Sequence, residues 1–307
     1  MADILVIKLG ALGDFVQALG PMAAIRAHHA DARITLLTTA PYAEFAGASG
    51  LFDAVWIDDR PRGADFGAWL ALRDKLRSRQ FARVYDLQTS DRSSFYRRLF
   101  WPANPEWSGI ARGCSHPRAN PDRDFLHTLE RQAEQLRDAG IDATPAPDLS
   151  WAEAEVSRFG LPERFVLLVP GGAPHRPAKR WPAELFGVFA RGLAEDGIEP
   201  VLLGTQTEIE QLMGVMAGCP AARNLMGQTS FLDLAVLARG AAAAVGNDTG
   251  PMHLIAAAGC PSVVLYSHES DPALCAQRGP RVEIIRRPIL DDLRPEDVRA
   301  VLDGVMR

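Results

Sequence analysis

Lysine is almost missing from this chain, although basic residues are not. Only Lys8, Lys75 and Lys179 are lysines among the 33 basic residues, and the other 30 are arginines. The formal net charge of −5 argues against a general nucleic-acid binder, because such proteins usually carry a strongly basic domain. The scarcity of lysine makes each of the three a candidate for a specific role.

Cysteine is also scarce, and no long hydrophobic run is present. The four cysteines form no Cys-X-X-Cys pair and have no metal-ligand spacing, so we expect reduced thiols in a cytoplasmic protein. No apolar run reaches the roughly 18 residues that span a bilayer. The apolar start at residues 4–7 is followed by Lys8 and Gly10, which is not the pattern of a secretory signal. We therefore expect a soluble protein.

The sequence does contain a regular alternation of short apolar runs and helical patterns. Such runs predict buried parallel strands, and their alternation with helices is typical of an α/β protein with doubly wound sheets. The runs lie at residues 4–7, 34–37, 54–57, 84–87, 165–169, 201–203, 242–245 and 262–266, and we expect the last to close its sheet.

The length of 307 residues fits two domains of about 150 residues each. Residues 101–147 are less periodic and predict loops with one helix at 125–139, and Thr-Pro-Ala-Pro at 144–147 is the best linker. We therefore expect domains at 1–147 and 148–307, with a last helix that could pack back on the first domain. Two such domains facing each other would form a cleft at the carboxyl ends of their strands.

The first candidate site is Gly10-Ala-Leu-Gly13-Asp14, directly after the first apolar run. It lacks the Gly-X-Gly-X-X-Gly pattern of dinucleotide binding, which counts against a nicotinamide-dependent oxidoreductase. The helix dipole would favour an ionised Asp14, which could accept a proton from an acceptor hydroxyl. A plain helix-capping aspartate explains the segment equally well.

The second candidate site is the loop at residues 170–182, Pro-Gly-Gly-Ala-Pro-His-Arg-Pro-Ala-Lys-Arg-Trp-Pro. Gly171 and Gly172 would let backbone amides approach a phosphate closely. Lys179 adds a point charge beside a helix start at Pro182. The residue order is not that of a Walker loop. An ordinary surface loop is the alternative, and the rarity of lysine counts modestly against it.

The third candidate site is Asn247-Asp-Thr-Gly-Pro-Met-His253. The N–H groups of Thr249 and Gly250 would point out of a helix N-terminus and could hold a diphosphate. Asp248 would repel a diphosphate, so it is better suited to sugar hydroxyls or to a lysine. The alternatives are an Asx turn that caps the helix and, for His253, a hydrogen-bonded helix histidine.

Two phosphate-binding loops in one domain and a candidate base in the other indicate group transfer from a nucleotide-activated donor. A lysine and helix N-termini can neutralise a leaving diphosphate. We find no carboxylate cluster of the kind that holds a metal. We therefore expect no metal and no cofactor, the nucleotide sugar being a substrate.

Together the three segments resemble the lipopolysaccharide heptosyltransferases of glycosyltransferase family 9, which have the GT-B fold. The resemblance covers nearly the whole chain, and its carriers are residues 7–14, 170–171 with 177–182, and 247–253. The string Pro-Ala-Lys-Arg-Trp-Pro resembles the heptosyltransferase II type most. The resemblance implies inverting, metal-independent transfer from an ADP-heptose-like donor to a lipopolysaccharide inner-core acceptor in a Gram-negative bacterium.

The resemblance also implies roles for individual residues. Asp14 matches the family's proposed general base, Lys179 the lysine at the donor phosphates, and Asp248 the acid near the donor sugar. The other donor-side matches are the phosphate-loop glycines, the diphosphate-binding amides, a histidine beyond them, a ribose-binding acid and an adenine-pocket residue: Gly171, Gly172, Thr249, Gly250, His253, Glu208 and Thr229.

On the acceptor side, the family binds carboxylates and phosphates, which arginine forks recognise well. Residues 73–98 carry eight basic side chains against three acidic ones. Part of this surface could rest on the anionic inner leaflet of the cytoplasmic membrane. We expect a monomer that binds a lipid-linked saccharide and no nucleic acid. The candidate acceptor-binding residues are Arg60, Arg62, Arg92, Arg97 and Arg98.

One segment departs from the family. Ser267-His-Glu-Ser270 stands where the family commonly has Gly-Pro-Thr or Gly-Pro-Ser after the final strand, which puts the identity of the sugar in question. The alternatives are therefore a GT-B transferase or epimerase that uses another sugar nucleotide, or a non-catalytic nucleotide-sugar binder.

Overall fold

The computed structural model describes residues 1–118 and 120–307. They form two compact units, unit 1 at Met1–Asp148 and unit 2 at Leu149–Arg307. Each unit holds one six-stranded sheet whose strands all pair in parallel. Within the described residues, no helix combines the length and the apolar character that a membrane crossing requires.

Unit 1 has the strand order β3-β2-β1-β4-β5-β6. The chain starts at the centre of the sheet and winds outward to each edge in turn, as in nucleotide-binding sheets. Its elements are β1 (Asp3–Ile7), α1 (Leu12–Gln17), α2 (Leu19–His28), β2 (Arg33–Thr38), α3 (Ala40–Ala48), β3 (Ala54–Ile57), α4 (Phe66–Arg77), β4 (Phe81–Asp86), α5 (Asp91–Leu99), β5 (Glu106–Gly109), β6 (His116–Pro117) and α6 (Thr128–Asp138).

Unit 2 repeats this arrangement with the order β12-β11-β10-β7-β8-β9. Its first strand, β7, again lies at the centre, between β8 and β10. The elements are β7 (Phe165–Val169), α7 (Ala183–Glu195), β8 (Glu199–Leu202), α8 (Ile209–Gly218), β9 (Arg223–Asn224), α9 (Phe231–Gly240), β10 (Ala243–Asn247), α10 (Gly250–Ala257), β11 (Ser262–Tyr266), α11 (Pro272–Cys275), β12 (Val282–Arg286) and α12 (Pro295–Val305).

The two central strands are apolar along almost their whole length because helices cover both faces of each sheet. Residues 4–7 of β1 and 165–168 of β7 are buried in the cores of their units. The last helix, α12, buries Val298, Leu302 and Val305 in the core of unit 2. This helix, which we expect could pack back on the first domain, thus packs on the core of its own unit.

The predicted strands at 54–57, 165–169 and 262–266 are confirmed with their bounds. The prediction that 262–266 closes its sheet is wrong, because β12 pairs with β11 beyond it. The segment 101–147 was predicted to hold one helix and loops, yet it contributes β5 and β6 as well. The strands β5 and β6 have only 4 and 2 residues, and β12 is partly exposed at the edge of its sheet. None of the three therefore has the continuous apolar run of a central strand.

Candidate functional site

The carboxyl ends of β7 and β10 in unit 2 are held together by Asn247. Its buried side chain accepts a hydrogen bond from the backbone N of Trp181 at 2.9 Å. It donates to the carbonyl oxygens of Pro170 at 2.8 Å and Gly171 at 3.1 Å. One amide thus joins the second and third candidate segments, which lie far apart in the sequence.

Lys179 and Asp248 form an ion pair at this edge of the sheet. The Lys179 Nζ lies 2.6 Å from Asp248 Oδ2, and the two side chains are only 14% and 7% exposed. Lys179 ends a 3₁₀ turn at Pro177–Lys179, whereas Asp248 directly follows β10. The sequence indicates either sugar hydroxyls or a lysine beside Asp248, and the structure shows the lysine.

Two further residues contact Asp248: Ser270, in the segment that departs from the family, and Gln277, which was not singled out from the sequence. The Ser270 hydroxyl donates to Oδ2 at 2.7 Å, and Gln277 Nε2 donates to Oδ1 at 3.1 Å. Burial alone would raise the pKa of Asp248, but the hydrogen bonds from Lys179 and Ser270 and the charge of Lys179 hold that pKa below its usual value. The carboxylate is therefore ionised, and the Ser267–Ser270 loop helps to fix it.

The N-terminus of α10 has no side-chain cap. Thr249 is the N-cap residue, and its buried hydroxyl has no hydrogen-bond partner within the described residues. The Nε of Arg180 is also buried there, with no partner among the residues that the structure describes. A Cβ on Gly172 would lie 3.2 Å from Arg180 Cγ and 3.6 Å from Thr249 Cγ2, so the three residues are neighbours. Unmet donors at a helix N-terminus are suited to an anion.

Glu208 lies against the glycine loop after β7. Its Oε2 accepts hydrogen bonds from the Thr205 backbone N at 2.8 Å and from the Thr205 hydroxyl at 2.9 Å. A Cβ on Gly171 would lie 1.8 Å from Glu208 Oε1, so only glycine permits this approach. The structure therefore brings the predicted ribose-binding acid beside the predicted phosphate loop.

The other two donor-side predictions occupy less direct positions. His253 is buried on α10, one turn after Thr249. Thr229 precedes Ser230, which caps α9 in a reciprocal capping box with Asp233. In the described part of the chain, no hydrogen bond links Thr229 to the Lys179–Asp248 pair.

In unit 1, Asp14 is exposed in the first turn of α1. The N-cap residue of this helix is Ala11, so the capping-aspartate alternative is wrong.

Gly10, which precedes this helix, has φ +115°, and a Cβ there would lie 2.7 Å from the Tyr42 ring. Tyr42 in turn stacks on Phe15 with ring centroids 4.9 Å apart. Glycine is thus required to turn the chain from β1 into α1.

A cavity of about 150 Å³, called here the unit 1 pocket, lies beside Asp14. Its walls combine four basic side chains with one acidic one. Lys8 is buried and donates to the Leu87 carbonyl at 3.1 Å, and burial lowers the pKa of its ammonium group. The charged lining residues are Lys8, Arg118, Arg123, Arg131 and Asp14.

None of the five predicted acceptor-binding arginines lines the unit 1 pocket. Arg60 and Arg62 are exposed in the loop after β3, and Arg98 is exposed on α5. Arg92 donates to the Pro61 carbonyl, and Arg97 donates to the carbonyls of Arg112 and Gly113. The guanidinium groups of Arg92 and Arg97 therefore support loops of unit 1. The arginines that line the unit 1 pocket all lie in the less periodic segment at residues 101–147 and were not singled out from the sequence.

Asp86, at the end of β4, positions one wall of the unit 1 pocket. Its Oδ1 accepts hydrogen bonds from the backbone N of Gln88 at 3.1 Å and of Thr89 at 3.0 Å. Burial raises the pKa of Asp86 to about 6, although hydrogen bonds from Thr89, Ser93 and Gln88 and the charge of Lys8 oppose the rise. Both Gln88 and Thr89 line the pocket.

This raised pKa predicts a pH dependence of stability. The folded protein keeps a proton on Asp86 up to about pH 6, whereas the unfolded chain loses it near pH 4. The contribution of Asp86 to the free energy of unfolding should therefore fall by up to about 3 kcal/mol as the pH rises between these values. Asp86→Asn should lack this fall. Denaturant unfolding of both proteins from pH 4 to pH 7 tests this, and parallel curves would contradict it.

Within residues 1–118 and 120–307, no group of three or more histidine, cysteine or acidic side chains is placed to hold a metal ion. An Asp-X-Asp spacing does occur at Asp122 and Asp124. Asp124 Oδ1 lies 3.4 Å from Arg123 Nε and 3.9 Å from an Arg131 nitrogen. This carboxylate is therefore engaged with the rim of the unit 1 pocket.

Most of the chain is similar to known proteins of one family. Residues 69–293 match the model of a family described as "Glycosyltransferase family 9 (heptosyltransferase)". Over 230 residues the chain is 30% identical to lipopolysaccharide heptosyltransferase 2 of Escherichia coli K12. This match covers 67% of the chain and spans 65% of the length of that relative.

Two solved E. coli structures are also similar. The ADP-heptose lipopolysaccharide heptosyltransferase II is 23% identical, with a TM-score of 0.84 over 100% of this chain and 98% of that one. The heptosyltransferase WaaC with ADP is 22% identical, with a TM-score of 0.78 over 99% of each chain. These similarities and the two parallel sheets confirm the predicted α/β GT-B fold.

Proposed function

This chain belongs to glycosyltransferase family 9, and from that premise we propose that it transfers a heptose from an ADP-heptose-like donor to a lipopolysaccharide inner-core acceptor. The observation that carries the proposal is the Lys179–Asp248 ion pair beside the uncapped N-terminus of α10. Together these groups offer a cation, backbone amides and a carboxylate within one short stretch of the sheet edge. In a nucleoside diphosphate sugar, the cation and the backbone amides suit the diphosphate, and the carboxylate suits the sugar hydroxyls.

The donor would bind to unit 2. The diphosphate would take the unmet donors of Arg180 and Thr249, the backbone N–H of Gly250, and the charge of Lys179. Asp248 would accept hydrogen bonds from the sugar, and Glu208 from the ribose. The positive groups would stabilise the leaving diphosphate, which supports a metal-independent departure.

The acceptor would react at Asp14 in unit 1. The acceptor's hydroxyl oxygen would attack the anomeric carbon of the donor sugar as the exposed Asp14 carboxylate takes the hydroxyl proton. The bond between the anomeric carbon and the diphosphate oxygen would break, and the nucleoside diphosphate would leave with the electron pair. One displacement of this kind inverts the configuration at the anomeric carbon.

The same proposal gives the protein a place and partners. A lipid-linked acceptor would be met at the cytoplasmic face of the inner membrane, where the exposed Arg60, Arg62 and Arg98 could contact anionic headgroups. We place the protein in the cytoplasm as a monomer that visits this surface.

A thermal-shift panel of nucleotides tests the donor assignment. A ligand that binds only the folded state stabilises it by about 2.7 kcal/mol at a hundred times its Kd. We expect ADP and ADP-sugars to raise the Tm and UDP, GDP and NAD to raise it little. A preference for UDP or GDP would instead favour another sugar-nucleotide enzyme, and a response to NAD alone would favour an oxidoreductase.

A further inference from the structure

We propose that two side chains, those of Ser270 and Gln277, position the Asp248 carboxylate and release its lysine partner to the donor diphosphate. This rests on the proposed function, in which Lys179 binds that diphosphate. The starting observation is that one ammonium group lies between two anionic partners. Lys179 Nζ is 2.6 Å from Asp248 Oδ2, and Asp248 directly precedes Thr249, the N-cap residue of α10 at which the diphosphate would bind.

The diphosphate and Asp248 would compete for the Lys179 ammonium group. Hydrogen bonds between ionised groups are the strong ones, so a bound diphosphate would draw the ammonium towards itself. The Asp248 side chain is only 7% exposed, so water cannot take the place of the lysine there. A buried carboxylate that loses its cation is strongly destabilised. Without other donors, Asp248 would therefore hold Lys179 back from the diphosphate.

Ser270 and Gln277 supply such donors from the chain that follows β11. The Ser270 hydroxyl donates to Oδ2, the same oxygen that Lys179 contacts, whereas Gln277 Nε2 donates to Oδ1. Burial would raise the pKa of Asp248, and the hydrogen bonds from Lys179, Ser270 and Gln277 all lower it. The serine and the glutamine therefore keep the carboxylate charged when the lysine turns away.

The Gln277 amide is held in the orientation that this role requires. The Tyr266 hydroxyl, buried at the end of β11, donates to Gln277 Oε1 at 2.8 Å. The amide nitrogen then faces Asp248, whose ionised carboxylate can only accept hydrogen bonds. The backbone N–H of Asp248 also donates to the Leu265 carbonyl of β11 at 3.1 Å. The tyrosine, the glutamine and the aspartate are thus tied to one strand, independently of Lys179.

The variants Ser270→Ala and Gln277→Met each remove one donor and keep most of the side-chain volume. With one donor fewer, Asp248 would hold Lys179 more strongly. We therefore expect the Kd for ADP to rise about three- to tenfold in each variant, which corresponds to the net contribution of one hydrogen bond. Calorimetric titration of the whole protein with ADP measures this change. Ser270→Thr keeps the hydroxyl and should bind ADP within about twofold of the wild type.

A double-mutant cycle separates this role from a merely structural one. Because both side chains act through Lys179, adding Ser270→Ala or Gln277→Met to Lys179→Ala should change the Kd for ADP by less than about twofold. An equal loss of affinity with and without the lysine would overturn the proposal. If Gln277→Met fails to fold, Ser270→Ala carries the test, because Ser270 is only half-buried in its loop.

The matched control is Ser78→Ala, whose hydroxyl donates to the Lys75 carbonyl in unit 1 and should not affect ADP binding. Wild-type affinity in both Ser270→Ala and Gln277→Met, with a loss in Lys179→Ala, would contradict this proposal and leave the proposed function intact. Unchanged affinity in Lys179→Ala itself would instead contradict the phosphate role of Lys179 in the proposed function, and this proposal with it.

Discussion

Asp14→Asn is expected to lower kcat by about 10²- to 10⁴-fold, the range that a positioned general base contributes. The asparagine keeps the size of the side chain and removes its ability to take the acceptor proton. Because Asp14 is exposed and is not the N-cap of α1, the fold should be unaffected. Initial rates of transfer with saturating donor and acceptor measure the effect.

Two controls make the Asp14 result specific. Asp31→Asn changes another exposed aspartate of unit 1 and should keep the wild-type rate. The affinity of Asp14→Asn for ADP should stay within about twofold of the wild type, because the nucleotide is assigned to unit 2. A near-wild-type kcat for Asp14→Asn would remove the base from the proposed mechanism.

Lys179→Ala should raise the Kd for ADP by about 10- to 100-fold. A hydrogen bond to a charged group contributes about 1.5–3 kcal/mol, and the alanine cannot supply it to the diphosphate. Calorimetric titration with ADP measures the change. Lys75→Ala is the matched control, because Lys75 donates to the Ile57 carbonyl in unit 1 and should not affect ADP binding.

The same substitution leaves Asp248 buried without its cation, which should destabilise unit 2 by about 3 kcal/mol. The double variant Lys179→Ala/Asp248→Asn separates the two effects. It should regain most of the lost free energy of unfolding, while its ADP binding stays weak. If ADP binding returned with stability, Lys179 would be structural and would not contact the phosphates.

The sequence predicted the central strands and the three motif loops because both depend on local patterns. Short apolar runs such as 165–169 that alternate with helical patterns favour buried strands, and the glycines after them mark the strand ends. Lys179 was singled out by its position in the loop at residues 170–182 and by the family resemblance, and the rarity of lysine added modest support. Of the three lysines, Lys8 and Lys179 lie at the two sites and only Lys75 does not.

The rest depends on contacts between residues that are far apart in the chain. Gln277 reaches Asp248 across 29 positions, and nothing in its own neighbourhood marks it as a site residue. Arg118 follows the edge strand β6 and donates to the carbonyl of Arg131 on α6, a contact between residues 13 positions apart that no local pattern marks. Charge density along the sequence pointed to residues 73–98, and within that stretch Arg97 donates to the carbonyls of Arg112 and Gly113 in a neighbouring loop.

The most direct measurement is a transfer assay with ADP-heptose and an acidic inner-core acceptor, followed by NMR of the product. We expect release of one ADP for each heptose transferred, and a new glycosidic bond with the anomeric configuration opposite to that of the donor. Retention of configuration, or turnover of a different sugar nucleotide with ADP-heptose left unchanged, would contradict it.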